Sequence, residues 1–210
     1  MKKLDYMNRI YDSGALAVVR ASTERVVEIA EGIVKGGVDV MEVSYTVDSA
    51  SDSIKLLRKK FGDKLLVGAG TVLDGETARD AISSGAQFIY SPMFDDDVAK
   101  LCNQYQIPYA PGCTSVTEAV NALRAGATFV KIFPYGGIVG PDLIKTMKTP
   151  IPYLPLIESG GVNVDNIDDW LEAGTDVVGI GGALSKGSVD DIANSAKQFR
   201  NKIDEFRKQN

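Results

Sequence analysis

The sequence predicts a closed (β/α)8 barrel, the α/β architecture also called a TIM barrel. Three features predict it. Eight short apolar runs recur, at residues 15–20, 38–44, 65–70, 88–91, 107–111, 129–133, 153–159 and 177–180. Amphipathic helical patterns lie between them. No interruption is long enough for a second domain, so residues 1–210 read as one barrel domain.

Each apolar run is continuous rather than alternating. Parallel strands read this way when both faces of the sheet are covered. The first interposed helix opens with Ser22-Thr23-Glu24, which carries capping chemistry. Val26, Ile29, Ala30, Ile33 and Val34 then fall on one face at helical spacing, and Gly36-Gly37 closes the helix. Ser84-Gly85-Ala86, Ala125-Gly126-Ala127 and Ala173-Gly174-Thr175 repeat that closing signal before later strands. An opening helix over 4–13 is expected to cap the barrel bottom. A final helix over 189–207 carries Ile192, Ala196, Phe199, Ile203 and Phe206 on one side. The barrel is near-minimal, because about 250 residues is typical. The competing architecture is an open doubly wound sheet. No G-x-G-x-x-G turn follows the first strand, which counts against it.

Composition narrows the chemistry. Glycine makes up 21 of 210 residues, against roughly 7% on average, and only 8 prolines accompany it. The glycines sit at helix ends and strand ends rather than in low-complexity tracts. Net charge is −5 and the isoelectric point is about 4.9, with no basic stripe. Phosphate contacts dominate nucleic-acid affinity, so no nucleic-acid partner is expected. There is no histidine, which removes imidazole catalysis and His-based metal sites. Cys102 and Cys113 make neither a metal set nor a disulfide framework, which suits a reduced, cytoplasmic setting. No apolar run reaches membrane-spanning length and no secretory leader is evident, so no membrane association is expected.

Barrel active sites lie at the C-terminal ends of strands, which directs attention to polar residues there. In the sixth run Lys131 is a lone cation among apolar neighbours. An ammonium there is either a structural group satisfied by a carboxylate or an amine nucleophile toward a carbonyl. In the second run Glu42 interrupts the strand in the same way. If Val40, Glu42 and Ser44 point inward, Glu42 approaches Lys131 across the barrel, as an acid/base group or as a plain ion-pair partner. Arg20 ends the first strand and can hold a carboxylate with its bidentate fork, or form a rim salt bridge. Gly68, Gly70 and Thr71 end the third, where glycines allow close approach of a substrate. Ser159-Gly160-Gly161 and Gly181-Gly182 follow the last two strands, where barrel enzymes bind phosphate through backbone N–H groups. Asp95-Asp96-Asp97 reads as a helix start, and Trp170 as packing.

Taken together, these segments resemble the 2-keto-3-deoxy-6-phosphogluconate (KDPG) aldolase / 4-hydroxy-2-oxoglutarate (KHG) aldolase family. The resemblance spans nearly the whole chain. It rests on Ala17-Val18-Val19-Arg20, Met41-Glu42-Val43-Ser44, Gly68-Ala69-Gly70-Thr71-Val72, Ser91-Pro92, Pro111-Gly112, Val130-Lys131-Ile132-Phe133-Pro134, Ser159-Gly160-Gly161 and Gly179-Ile180-Gly181-Gly182. It implies a class I, Schiff-base aldolase acting on a small-molecule 2-keto acid, without metal or other cofactor, usually as a homotrimer. It places the Schiff-base lysine at Lys131, the acid/base glutamate at Glu42 and the carboxylate-binding threonine at Thr71. Pro92 and Phe133 join Arg20 and the glycine loops as substrate-binding residues.

The chain departs from the family pattern toward the substrate end. Thr46 stands where many members carry an arginine, and Ser159 where a threonine is typical. Glu158 precedes that glycine pair, Ala183 replaces a serine, and Tyr135-Gly136 replace Ala-Glu. The expectation is a retained reaction type with an altered aldehyde half, less dependent on phosphate. A phosphate-binding barrel isomerase or epimerase, and a non-catalytic sugar-acid binder, are the competing functions.

Overall fold

A serine opens the first barrel helix as expected. The Ser22 side chain accepts from the Arg25 N–H at 3.4 Å, starting α2 (Thr23–Lys35). Gly37 follows it at φ +89°, a left-handed conformation that a Cβ disfavours. Val26, Ile29, Ala30 and Ile33 are buried along one face. The computed structural model describes residues 2–209; Met1 and Asn210 lie outside them.

Around α2 the chain alternates strand and helix. It runs through α1 (Lys2–Ser13), β1 (Ala15–Val19), α2, β2 (Val40–Ser44), α3 (Ala50–Phe61) and β3 (Leu66–Gly70). Next come α4 (Gly75–Ser83), β4 (Ile89–Tyr90), α5 (Asp96–Tyr105), β5 (Tyr109–Ala110), β6 (Gly112–Cys113) and α6 (Val116–Arg124). Then follow β7 (Val130–Ile132), α7 (Gly136–Val139), α8 (Pro141–Lys148), β8 (Leu156–Ser159), α9 (Ile167–Glu172), β9 (Val177–Ile180) and α10 (Val189–Gln209). Asp95 caps α5 by accepting from the Val98 N–H at 2.9 Å, which accounts for the acidic triplet.

The strands pair in the order β5-β4-β3-β2-β1-β9-β8-β7-β6, and the pairs are parallel. The two ends of that order, β5 and β6, are consecutive in the chain and separated by Pro111 alone. The fifth expected strand is therefore split. Its first half pairs with β4 and its second with β7, so nine segments fill eight barrel positions and close the sheet. Proline has no N–H to continue a ladder, and this is the physical reason for the break. The seventh strand also starts later than expected. Tyr153 is 76% exposed, and Pro152 and Pro155 keep the preceding segment off the ladder until Leu156.

Alternation divides the core in two. Leu16, Val18, Val40, Leu66, Phe88, Tyr90, Ala110, Phe129, Ile157 and Val177 fill the barrel interior, and Ile10 of α1 joins them from below. α1 packs against β1, β2 and β9, as a bottom cap does. Val19, Met41, Val43, Val67, Ile89, Val130, Leu156 and Val178 face the helices. At the seam between α2 and α10 two glycine positions leave no room for a side chain. A Cβ at Gly32 would overlap Ile192, and one at Gly36 would overlap Ala193 and Ala196.

Candidate active site

Because alternation puts Val40 and Phe129 inside the barrel, it also puts Glu42 and Lys131 there, two residues further toward the C-terminal ends. Both are buried: Glu42 is 1% exposed and Lys131 6%. The Lys131 ammonium sits 5.1 Å from the centre of the Phe133 ring, within cation–π range. Burial pushes the Glu42 carboxyl above its ordinary value. The positive charges of Lys131 and, more weakly, Arg20 pull it back. Neither Glu42 oxygen has a hydrogen-bond partner among the described residues.

Above this pair lies a cavity of about 280 Å³. Lys131, Phe133, Arg20, Ser159, Gly160, Gly161, Gly181 and Gly182 line it. The sequence singles out these residues as site candidates; Val18, Val162 and Gly179, which it does not single out as such, also line the cavity. Val18 and Gly179 sit at inward positions, so strand alternation carried a signal for them. Arg20 is exposed at the rim, and no ion pair engages it among the described residues. Pro92 is not among the lining residues; its carbonyl lies against Gly112 across the strand break. A larger groove of about 700 Å³ runs between α4 and α5, and several of its charged groups are engaged by neighbouring side chains. Lys100 pairs with Asp96 and Asp97, while Tyr45 and Ser51 donate to Asp80.

The glycines of β3 also serve packing inside the protein itself. On the sequence alone, Gly68 and Gly70 leave room for substrate. In the fold a Cβ at Gly68 would overlap the Phe88 ring, and one at Gly70 would overlap the Glu42 carboxyl. Gly70 is therefore a seat for Glu42, whose carboxyl fills the space a side chain there would need. Next to it Thr71 holds φ +59°, a rare conformation for a β-branched residue and a mark of a constrained site. Its hydroxyl is 2.9 Å from Ser44 Oγ, which in turn is 3.0 Å from the Thr46 hydroxyl. The three hydroxyls form a neutral polar cluster beside Glu42.

A profile of the family described as KDPG and KHG aldolase matches residues 8–198. The chain is 32% identical over 188 residues to the 2-dehydro-3-deoxy-6-phosphogalactonate aldolase of Escherichia coli, covering 88% of this chain and 91% of that one. This chain belongs to the KDPG and KHG aldolase family. Among solved structures, a native KDPGal structure superposes with a TM-score of 0.87 at 31% identity, covering 92% of this chain and 96% of that one. The KDPG aldolase of Legionella pneumophila, with pyruvate captured as a covalent carbinolamine, superposes at 0.83 with 26% identity, covering 91% and 96%. The protein is thus a class I aldolase, a lyase, on the expected barrel. The isomerase and the non-catalytic binder are set aside.

Two of this aldolase's departures explain each other. Glu158 is fully buried, and strand alternation turns it away from the barrel interior. Its carboxyl occupies the space that a Cβ at Gly136 would need. Glu158 and Gly136 thus share one volume, and a larger residue at 136 would displace the carboxyl. Both Glu158 oxygens lack hydrogen-bond partners among the described residues, and burial pushes the carboxyl up to about 8. It is therefore largely neutral at pH 7 and places little negative charge behind the glycine loop.

That shift has a signature in stability. The folded form keeps its proton to about pH 8, while the unfolded chain loses it near 4.5. The stabilisation is complete below about pH 4.5 and is lost as pH rises toward 8. Glu158→Gln removes this slope. Denaturant titrations should show wild type losing ground to the variant across that window, by on the order of a few kcal/mol. Parallel curves would show that Glu158 ionises normally.

Gly70→Ala offers a second check on this aldolase. Its methyl group would drive the Glu42 carboxyl off its seat. Turnover should fall by about 10²-fold with the barrel's circular dichroism unchanged, since misplacement by about 1 Å can have that effect. Full activity would mean that the seat is unimportant.

Proposed function

We propose that this aldolase cleaves a 2-keto-4-hydroxy acid, such as 2-keto-3-deoxy-6-phosphogluconate or 4-hydroxy-2-oxoglutarate, to pyruvate and an aldehyde. The aldehyde is glyceraldehyde 3-phosphate or glyoxylate respectively. The observation that carries this reading is the buried Lys131 amine on the cavity wall, with a partnerless Glu42 carboxyl in the adjoining barrel interior. The pyruvate carbinolamine captured in the Legionella relative supports it.

In this reading Lys131 Nζ attacks the C2 ketone, and loss of water gives a protonated imine that serves as an electron sink. Glu42 takes the proton from the C4 hydroxyl, directly or through water, and the C3–C4 bond breaks. The aldehyde leaves and its bonding electrons remain as an enamine. Protonation at C3 and hydrolysis release pyruvate and free Lys131. A group buried at 6% exposure excludes bulk water from the imine, which favours its lifetime. No further cofactor is required, because the lysine itself supplies the sink.

Arg20 and Thr71 are proposed to hold the substrate carboxylate, with Thr46 contributing a hydroxyl where an arginine is common in the family. Ser159, Gly160, Gly161, Gly181 and Gly182 are proposed to receive the distal end of the substrate. A neutral Glu158 leaves that end able to take a phosphate, and the Escherichia coli relative is named for a phosphorylated substrate. Comparing kcat/KM at pH 7 for 2-keto-3-deoxy-6-phosphogluconate and its unphosphorylated form should favour the phosphorylated one by tenfold or more, roughly the gain from one or two charge-assisted hydrogen bonds. Equal values would assign the distal loops to a neutral group.

A homotrimer working in the cytoplasm, in carbohydrate breakdown of the Entner–Doudoroff type, belongs to the same proposal. Among the described residues, no helix is long and apolar enough to cross a membrane.

A further inference from the structure

The barrel interior holds one phenol that the chemistry above does not use. Tyr90 is 1% exposed, and its hydroxyl lacks a hydrogen-bond partner among the described residues. Tyr109 is equally buried but faces outward. Its hydroxyl accepts from the Asp95 N–H at 3.2 Å and donates to the Met93 carbonyl at 3.3 Å. Tyr90 instead shares its surroundings with Leu66, Phe88 and Ala110, where phenylalanine would pack as well. A hydroxyl in such a place is unfavourable unless something polar faces it.

What faces it follows from the sheet. Strand β3 lies between β2, which carries Glu42, and β4, which carries Tyr90. Ala69 pairs with Ile89, so Gly70 stands level with Tyr90. The Glu42 carboxyl leans off its own strand onto the bare Cα of Gly70, and so toward β4. The absence of a side chain at Gly70 opens the space between carboxyl and phenol. Burial, followed by the Glu42 charge, raises the Tyr90 phenol well above its ordinary value, which keeps it a proton donor throughout the working range.

We propose that Tyr90 is a positioning residue for Glu42, its O–H directed at the carboxylate across one bridging water and holding it over Gly70, since neither group has a direct hydrogen-bond partner among the described residues. The proposal rests on the reading of Glu42 as the acid/base group. A hydrogen bond to the ionised carboxylate favours that form, offsetting the burial that disfavours it. The charged and titratable groups around Glu42 are then Lys131 from β7, Arg20 after β1 and Tyr90 from β4.

The test is the pH dependence of kcat and KM on 2-keto-3-deoxy-6-phosphogluconate for wild type, Tyr90→Phe, Glu42→Gln and the double variant. Tyr90→Phe keeps the ring that packs on Phe88, so the fold is preserved. Its kcat should fall by about tenfold with KM nearly unchanged, and the acid limb of its profile should move to higher pH. In the Glu42→Gln background the same change should have no further effect. A wild-type kcat with an unmoved limb would overturn the proposal. So would an equal loss in both backgrounds, which would mark plain packing. A fully active Glu42→Gln would overturn the Glu42 assignment itself, a failure distinct from that of Tyr90.

Discussion

Lys131→Met should leave a folded barrel that neither forms an adduct with pyruvate nor cleaves substrate. Methionine is close to the lysine stem in length and is apolar. It sits in the same interior position between Phe129 and Phe133 without an ammonium to desolvate. Stability should hold or rise slightly, even without the cation–π attraction to the Phe133 ring. Chemistry should not survive, because the amine is both nucleophile and source of the electron sink. Loss of a covalent nucleophile removes several orders of magnitude, about 10⁴-fold or more. Steady-state turnover and thermal unfolding of the same preparation separate the two effects. Measurable aldol cleavage by a folded Lys131→Met protein would place the imine elsewhere.

Glu42→Gln is the second large effect, and it separates steps that Lys131→Met removes together. Glutamine keeps the shape of the side chain over Gly70 and removes its basicity. The imine can still form, while the proton transfers at the C4 hydroxyl and at C3 slow, by about 10²–10⁴-fold. Rapid-quench experiments should therefore show enzyme-bound substrate adduct accumulating before product. The chain has no histidine to take over, so a normal rate would require a carboxylate or water not yet assigned a role.

The barrel was legible because parallel strands covered on both faces leave continuous apolar runs, and because glycines mark the helix ends. Lys131 and Glu42 were legible for a related reason. A charge inside such a run has an electrostatic cost, so its presence needs an explanation. The break in the fifth strand was visible as Pro111, but not its consequence that one strand joins both ends of the sheet order. Less legible were the contacts between residues far apart in the chain. The use of Gly70 depends on where Glu42 leans, and that of Gly136 on where Glu158 packs. Tyr90 was hidden for a third reason: an aromatic in an apolar run reads as core, and it takes the sheet order to set its strand β4 beside β3, whose other neighbour β2 carries Glu42.

The central claim is a covalent imine at Lys131. Incubating the full chain with pyruvate and borohydride, then mapping the product by peptide mass spectrometry, tests it directly. The expected result is one reduced pyruvate adduct on the peptide bearing Lys131, present in wild type and Glu42→Gln and missing in Lys131→Met. A folded wild-type protein that gives no adduct, or one carrying the adduct on a different lysine, would contradict it.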